Sequence, residues 1–345
     1  MIALLSLTMV TAKAQTPSLN RPGAANKITA DLVEQINAVQ SPNELVNVII
    51  VLRDQYDFQA SMRQTRNFDR QQRRDFVVDE LQRFSEAAQR GVLNDLNQGT
   101  RANIVSDVKP LWIANAIVCS MNRDMVYAIA ERPDVAYVTC DSEIHIADGE
   151  TIGEMAGVLG SRDSELQWNV VKVNAPDVWS MGYTGAGIVV AVIDTGVNYN
   201  HTDIANNMWD GGSDYPNHGW DWVNDDNDPM DDHSHGTHCA GTVSSYGTNG
   251  KQCGIAKDAK IMALKTLSGS GSGYSSNTIL AIQFAVAHGA DVLSLSLGSA
   301  GVGGYSAYRV AMENTLAAGV VASVAAGNDG ERLSTYPIPY NIGSP

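Results

Sequence analysis

Lys and Arg are missing altogether from Asn174 to Gly250, although Asp recurs through that stretch. The whole chain has 23 Lys and Arg against 38 Asp and Glu, a formal net charge of −15. A protein this acidic repels phosphate backbones, so nucleic acid is not expected as a partner. Long apolar runs are also missing. A membrane helix needs about 20 apolar residues, no segment has them, and no membrane partner is expected. Cysteine is scarce: Cys119, Cys140, Cys239 and Cys253 fall two in each half, with no CxxC pair. That spacing argues against a zinc site. Cys119 and Cys140 lie in two strand-like segments and are candidates for neighbours, with the connectivity of all four left open.

Glycine and apolar residues are plentiful, at 31 Gly and 44% hydrophobic, which fits a globular α/β protein. At about 100–200 residues per domain, 345 residues suggest two domains. The N-terminus reads as an export signal over residues 1–14. Ala3–Val10 is mostly apolar, and Ala12-Lys13-Ala14 is a small-x-small cleavage site before Gln15. The departure from that pattern is a start without Lys or Arg. The product is expected to be secreted, outside the cell or in its envelope.

Residues 16–29, with Pro17, Pro22 and Gly23, read as a polar lead. Val46–Leu52 is a β-branched strand signal. Residues 67–98 lack Pro and carry Phe76, Val77, Leu81, Phe84, Ala88 and Leu93 near helical spacing. A strand is predicted at 111–121, a short helix at Arg123–Glu131 stopped by Pro133, and a strand at Val135–Thr139. Strand, helix, strand, helix, strand is the order of a small ferredoxin-like α+β unit, placed at 30–147. Residues 148–165, rich in Gly, Ser, Asp and Glu, read as a linker. From 166 to 345 the texture changes. Apolar runs at Ile188–Ile193, Ile261–Leu267, Val292–Leu297 and Val320–Ala325 alternate with helical stretches at His235–Ser245, Ser275–His288 and Ala307–Ala318. The alternation predicts a doubly wound parallel sheet covered on both faces. Active sites in such folds sit at the carboxyl ends of the strands.

Three constellations fall at those ends. Val190-Ala-Val-Ile-Asp194-Thr195-Gly196 ends a buried strand in a carboxylate and a tight turn. His235-Gly236-Thr237-His238-Cys239-Ala240-Gly241 opens a helix of small residues, which lets another group come close. Ala325-Ala326-Gly327-Asn328 sits after a further strand. Singly, each has a bland reading: a turn Asp, a structural His, a capping Asn. Together and in this order they resemble the subtilase family of serine peptidases. Thr184-Gly-Ala-Gly-Ile before the Asp, Ser270-Gly271-Ser272-Gly273, Ser296-Leu297-Gly298 and Tyr336-Pro337 extend the resemblance over roughly residues 168–340.

The resemblance implies an endopeptidase acting on proteins or peptides. His235 would be the general base and then the general acid, and Asp194 would orient its ring. Asn328 would donate to the oxyanion. Gly271, Ser272, Gly273, Ser296, Leu297, Gly298, Ala326 and Gly327 would line the substrate cleft, with Thr335 at the base of a shallow specificity pocket. The first unit would be the family's inhibitory propeptide, a partner of its own peptidase domain, with its final segment lying in the cleft. The basic stretch Arg63, Arg66, Arg70, Arg73 and Arg74 would speed its docking on an acidic partner. The family's Gly-Thr-Ser-Met-Ala nucleophile motif is missing. Ser344, beside Pro345 with no helix after it, is rejected as its substitute. The expectation is a chain truncated before the serine. The alternative is an inactive subtilase fold serving as a binding module.

His201, His233 and His238 are decoys near the chosen His. The acidic loop Asp221–Asp232 concentrates oxygen donors of the kind calcium takes. A structural Ca²⁺ is expected there, with Asp225, Asp228 and Asp232 as candidate ligands, against the plain reading of a solvated loop.

Overall fold

The computed structural model describes residues 26–146, 165–248, 250–298 and 307–327. The expected signal, the linker apart from its last residue, Asn328, Thr335 and Tyr336-Pro337 lie outside these residues.

The first unit runs α1 (Ala30–Ala38), β1 (Leu45–Leu52), α2 (Phe58–Gln64), α3 (Arg70–Arg101), β2 (Val105–Leu111), β3 (Ala116–Asn122), α4 (Arg123–Glu131), β4 (Val135–Cys140) and β5 (Glu143–Ile146). Asp69 starts α3 with a capping box. Its carboxylate accepts from Gln72 N at 2.9 Å, and the Gln72 side chain accepts from Asp69 N at 3.3 Å. β1 to β4 form an antiparallel sheet in the order β2-β3-β1-β4. That is the ferredoxin-like order. One expected strand is corrected: 111–121 is a corner and a strand of a hairpin, not one strand. Trp112–Ala114 forms a 3₁₀ turn and Asn115 closes it at φ 40. The Cys pair is corrected too. Cys119 and Cys140 both face Val48, with β1 between them. Two strand spacings are about 9.5 Å, beyond the reach of a disulfide.

The second unit runs α5 (Trp168–Lys172), α6 (Ala175–Ser180), β6 (Val189–Asp194), β7 (Gly219–Asp221), α7 (His235–Ser244), β8 (Lys260–Lys265), β9 (Ser272–Tyr274), α8 (Ser275–Ala287), β10 (Val292–Leu295), β11 (Leu297–Gly298), α9 (Ala307–Ala317) and β12 (Val321–Val324). Five strands make a parallel sheet in the order β12-β10-β6-β8-β7. The sequence-based fold class therefore holds. Val190 and Val192 of β6 pack with Ala240 of α7 on one face. Ala191 and Ile193 pack with α8 and α9 on the other. Burial on both faces is why these strands read as continuous apolar runs.

α8 is buried nearly all round because it is covered twice. The parallel sheet lies on one side, and Ile49, Val51, Leu111 and Ile113 of the first unit lie on the other. The Trp112–Ala114 corner enters between α8 and α9. Ile113 N donates to Gln283 Oε1 at 3.3 Å, and Asn314 Nδ2 donates to Ile113 O at 2.7 Å. Asp141 accepts from Ser276 N at 2.9 Å and Ser275 Oγ at 3.0 Å, satisfying the start of α8. The chain then enters β5, the middle strand of a small antiparallel sheet in the order β11-β5-β9.

Candidate active site

Asp194 is the last residue of β6, so the sheet delivers its carboxylate to the carboxyl end while keeping it 1% exposed. Thr195 N donates to Asp194 Oδ1 at 2.7 Å. Gly196 turns the chain at φ +103, and a Cβ there would lie 2.6 Å from Pro229 O. Only glycine fits the turn.

His235 is the first residue of α7. Ser234 before it sits at φ 91, a conformation that costs a non-glycine residue about 1–3 kcal/mol. Asp231 holds it there. Its Oδ1 accepts from His233 N and Ser234 N, each at 2.9 Å, and from Thr195 Oγ1 at 2.9 Å. Its Oδ2 accepts from Thr237 N at 2.9 Å and from the Thr237 hydroxyl. Thr195 Oγ1 in turn accepts from Gly236 N at 2.9 Å. Burial alone would raise the Asp231 pKa. The bonds from Thr237, His233 and Ser234 outweigh it and hold the carboxyl below its ordinary value.

This scaffold brings His235 Nδ1 to 2.8 Å from Asp194 Oδ1. With Nδ1–H donating to the carboxylate, Nε2 is the nitrogen free to take a proton. The bond to Asp194 raises the His235 pKa above its ordinary value. Cys239, one turn along α7 with Sγ 3.9 Å from Nδ1, adds to the rise, and burial opposes it. Beside the pair, Lys265 is only 1% exposed. Its ammonium donates to Thr195 O at 2.7 Å, Leu267 O at 3.1 Å and Asp232 Oδ1 at 2.5 Å. Asp231 and Lys265 were not singled out from the sequence. The signals were an Asp four residues before the His and a lone Lys ending an apolar strand.

The expected cleft residues flank β5. Ile144 pairs with Gly273 and His145 with Ser272, while Leu297 pairs with Ile146 and Gly298 with His145. Ile146 N donates to Gly271 O at 2.9 Å. Ser296 lies between β10 and β11. Ala326 and Gly327 follow the carboxyl end of β12, exposed, with Gly327 at φ 86. A Cβ on Gly271 would meet Ile146 Cδ1 at 3.0 Å and His233 Nε2 at 3.5 Å. The His233 ring is 6.4 Å from that of His235, so β5 ends beside the Asp194–His235 pair. Ile144 and Ile146 are buried while Glu143 and His145 are exposed.

The structure does not gather the expected calcium ligands. Asp232 takes the Lys265 ammonium, Asp228 accepts from Tyr199 Oη at 2.6 Å, and Asp225 lies 3.9 Å from Lys109. Asp221 is spent on Val223 N at 2.6 Å and on Asn224. The three named carboxylates do not form a group with ligand atoms within 4.8 Å of one another. His201, His233 and His238 line a cavity of about 1100 Å³ together with Asp203 and Asp231. Among the described residues, Asp194, His235 and Cys239 are the one group that brings three ligand-type atoms within 4.8 Å of one another.

The family model described as the subtilase family matches residues 185–344. Residues 185–344 are thus similar to the subtilase family. It is 40% identical over 182 residues to minor extracellular protease Vpr of Bacillus subtilis (strain 168), covering 50% of this chain and 21% of that protein. It is 33% identical over 232 residues to subtilisin E of the same organism, covering 67% of this chain and 54% of the relative. Thermitase of Thermoactinomyces vulgaris is 36% identical over 179 residues, covering 52% of this chain and 60% of the relative. The chain thus spans no more than three fifths of these relatives. Among the described residues, no helix is long and apolar enough to cross a membrane.

Proposed function

We propose that the chain is the precursor of a secreted serine endopeptidase, in which residues 30–147 inhibit the peptidase unit until they are removed. In this reading, His235 Nε2 takes the proton of a serine hydroxyl as it attacks the substrate carbonyl, then gives it to the leaving amine. Asp194 keeps the proton on Nδ1 and stabilises the imidazolium once it forms. Asn328 donates to the oxyanion. The Gly-Thr-Ser motif that would carry that serine does not occur in residues 1–345.

One observation carries the reading: β5 lies between β9 and β11 and ends next to the Asp194–His235 pair. A strand held there by backbone bonds occupies the cleft as a bound peptide would. Such pairing gives affinity with little demand on sequence, which suits a peptidase acting on varied proteins. Secretion is supported by the apolar start at Ala3–Val10 and by the extracellular relative named above.

The test is a chain extended through the Gly-Thr-Ser motif and assayed on a chromogenic peptide. His235→Ala should remove nearly all turnover and block release of residues 30–147, while His201→Ala should be mild. Wild-type turnover from His235→Ala overturns the assignment. A sequence past Pro345 without that motif favours the inactive binding module instead.

A further inference from the structure

Besides β5 in the cleft and the contacts to α8 and α9, the first unit makes polar contacts at the amino ends of the parallel sheet, opposite the end that carries Asp194. Asp291 immediately precedes β10, at the amino ends of the strands, whereas Asp194 closes β6 at the carboxyl end. A six-residue parallel strand rises about 20 Å between those ends. Three arginines from the start of α3 reach across to this edge. Arg74 Nη2 lies 2.8 Å from Asp291 Oδ1 and 2.9 Å from Ala290 O. Arg70 Nη1 lies 3.1 Å from the same carboxylate oxygen, and its Nη2 is 3.5 Å from Gly187 O. Arg73 lays its methylenes where a Cβ on Gly319 would be, at 2.9 Å. The Arg74 side chain is 5% exposed and that of Asp291 8%. The second Asp291 oxygen accepts from Val189 N at 3.0 Å, which fixes the carboxylate to the start of β6.

We propose that Asp291 is the receptor of a second anchor, charge-based and remote from the cleft, that retains the N-terminal unit on the peptidase unit after the chain between them is cut. The partner it fits is a helix start presenting two guanidinium groups one turn apart. The consequence rests on the inhibitor–peptidase reading above, but the contact does not. Cutting the linker frees β5 at one end and leaves this anchor untouched, so cleavage and release become separate steps. An acidic peptidase unit repels most acidic surfaces, and a paired Arg on one buried carboxylate gives the docked unit its orientation. Loss of one partner strands the other as a buried unpaired charge.

The experiment uses the full chain with a site for a sequence-specific protease inserted between residues 147 and 164. After cutting, separation of the two units is followed by fluorescence on dilution, and peptidase activity is not read. Failure here is therefore distinct from failure of the proposed function. The cut wild type should remain one particle. Arg74→Met and Asp291→Asn should each speed dissociation about 30-fold, equivalent to about 2 kcal/mol at about 1.4 kcal/mol per tenfold. The double variant should dissociate no faster than the faster single one. Arg70→Met, at a side chain 52% exposed, is safe for folding and should speed dissociation several-fold, more weakly as salt rises. Units that separate at once in the wild type overturn the proposal. So do a wild-type rate in Arg70→Met and Arg74→Met, or single effects that multiply in the double variant.

Discussion

Asp194 and His235 lie 41 positions apart in the chain and meet at 2.8 Å, one at the end of a buried strand and the other at the start of a helix. The meeting depends on Asp231, which accepts from Thr195, the residue after Asp194, and from Ser234 and Thr237 on either side of His235. The imidazole therefore arrives with its orientation set before any substrate is present.

The first prediction concerns that pair. The His235 pKa is raised in the folded protein, chiefly by Asp194. The stability it contributes is complete below the ordinary histidine value of about 6.5. That stability is lost as the pH rises through the higher folded value. Asp194→Asn should lower the His235 titration midpoint, read by NMR, and remove this pH dependence from thermal unfolding. In a chain extended through the serine motif, turnover should fall by about 10⁴. An unchanged midpoint would mean that the carboxylate does not act on the ring.

Asp231 gives a second prediction. Asp231→Ala leaves several inward-facing donors without an acceptor, at about 1–3 kcal/mol for each buried group. A loss of about 2–4 kcal/mol is expected by urea unfolding. Its folded pKa is depressed, so the stabilisation is present above the ordinary carboxyl value of about 3.9 and disappears as the pH falls through the folded value. Asp231→Ala should therefore differ most from wild type at neutral pH and converge with it in acid. Equal losses at both pH values would argue against these bonds.

Two glycines of one helix should respond in opposite directions. A Cβ on Gly236 would lie 2.0 Å from Gly196 O, whereas one on Gly241 meets nothing within 4 Å. Gly236→Ala should push α7 away from the Asp194 turn and destabilise by about 2 kcal/mol or more. Gly241→Ala should stabilise by about 0.5–1 kcal/mol. Thermal unfolding of the two variants side by side is the check, and similar shifts would contradict the packing described.

Much of this site was legible because its chemistry is local. Asp194 and His235 each sit where a strand ends or a helix begins, flanked by small residues that permit close approach. The hairpin corner was not legible. Trp112, Ile113 and Ala114 are apolar because the turn is buried between α8 and α9, so the usual polar turn residues are absent and the segment reads as strand. α1, α2, α5 and α6 are short, with too few turns to establish a period. The acidic loop is ambiguous for a different reason. Carboxylates that cap turns and carboxylates that hold calcium have the same composition, and their partners, Lys265, Tyr199 and Lys109, lie far away in the chain.

The contacts of this loop yield a metal prediction. Asp232 is already matched by the Lys265 ammonium, and Asp228 by Tyr199. Chelator should therefore give the same change in melting temperature, or none, in wild type and in Asp225→Asn with Asp228→Asn. A chelator-induced fall in wild type that vanishes in the double variant would restore a cation to this loop, by mass action on the folded state.

The last prediction concerns the strand in the cleft. β5 alternates, with Glu143 and His145 outward and Ile144 and Ile146 buried. Ile144 is 1% exposed in a cluster that also contains Leu267 and Leu297. The backbone ladder gives β5 its position, and these two side chains give it register, because a slip of one residue would bury Glu143 and His145 instead. Ile144→Asp places a carboxylate in an apolar site. The outcome should be loss of β5 pairing, seen as faster amide exchange at residues 143–146. The four-stranded sheet should keep its protection, because its core draws on Val48, Ile50, Cys119 and Val138 and not on Ile144. Glu143→Ala, on the outward face, should leave exchange unchanged. If Ile144→Asp exchanges like wild type, the side chains do not set the register, and the ladder alone holds the strand. If protection is lost across β1 to β4 as well, the two units unfold together and the cleft strand is no separable element.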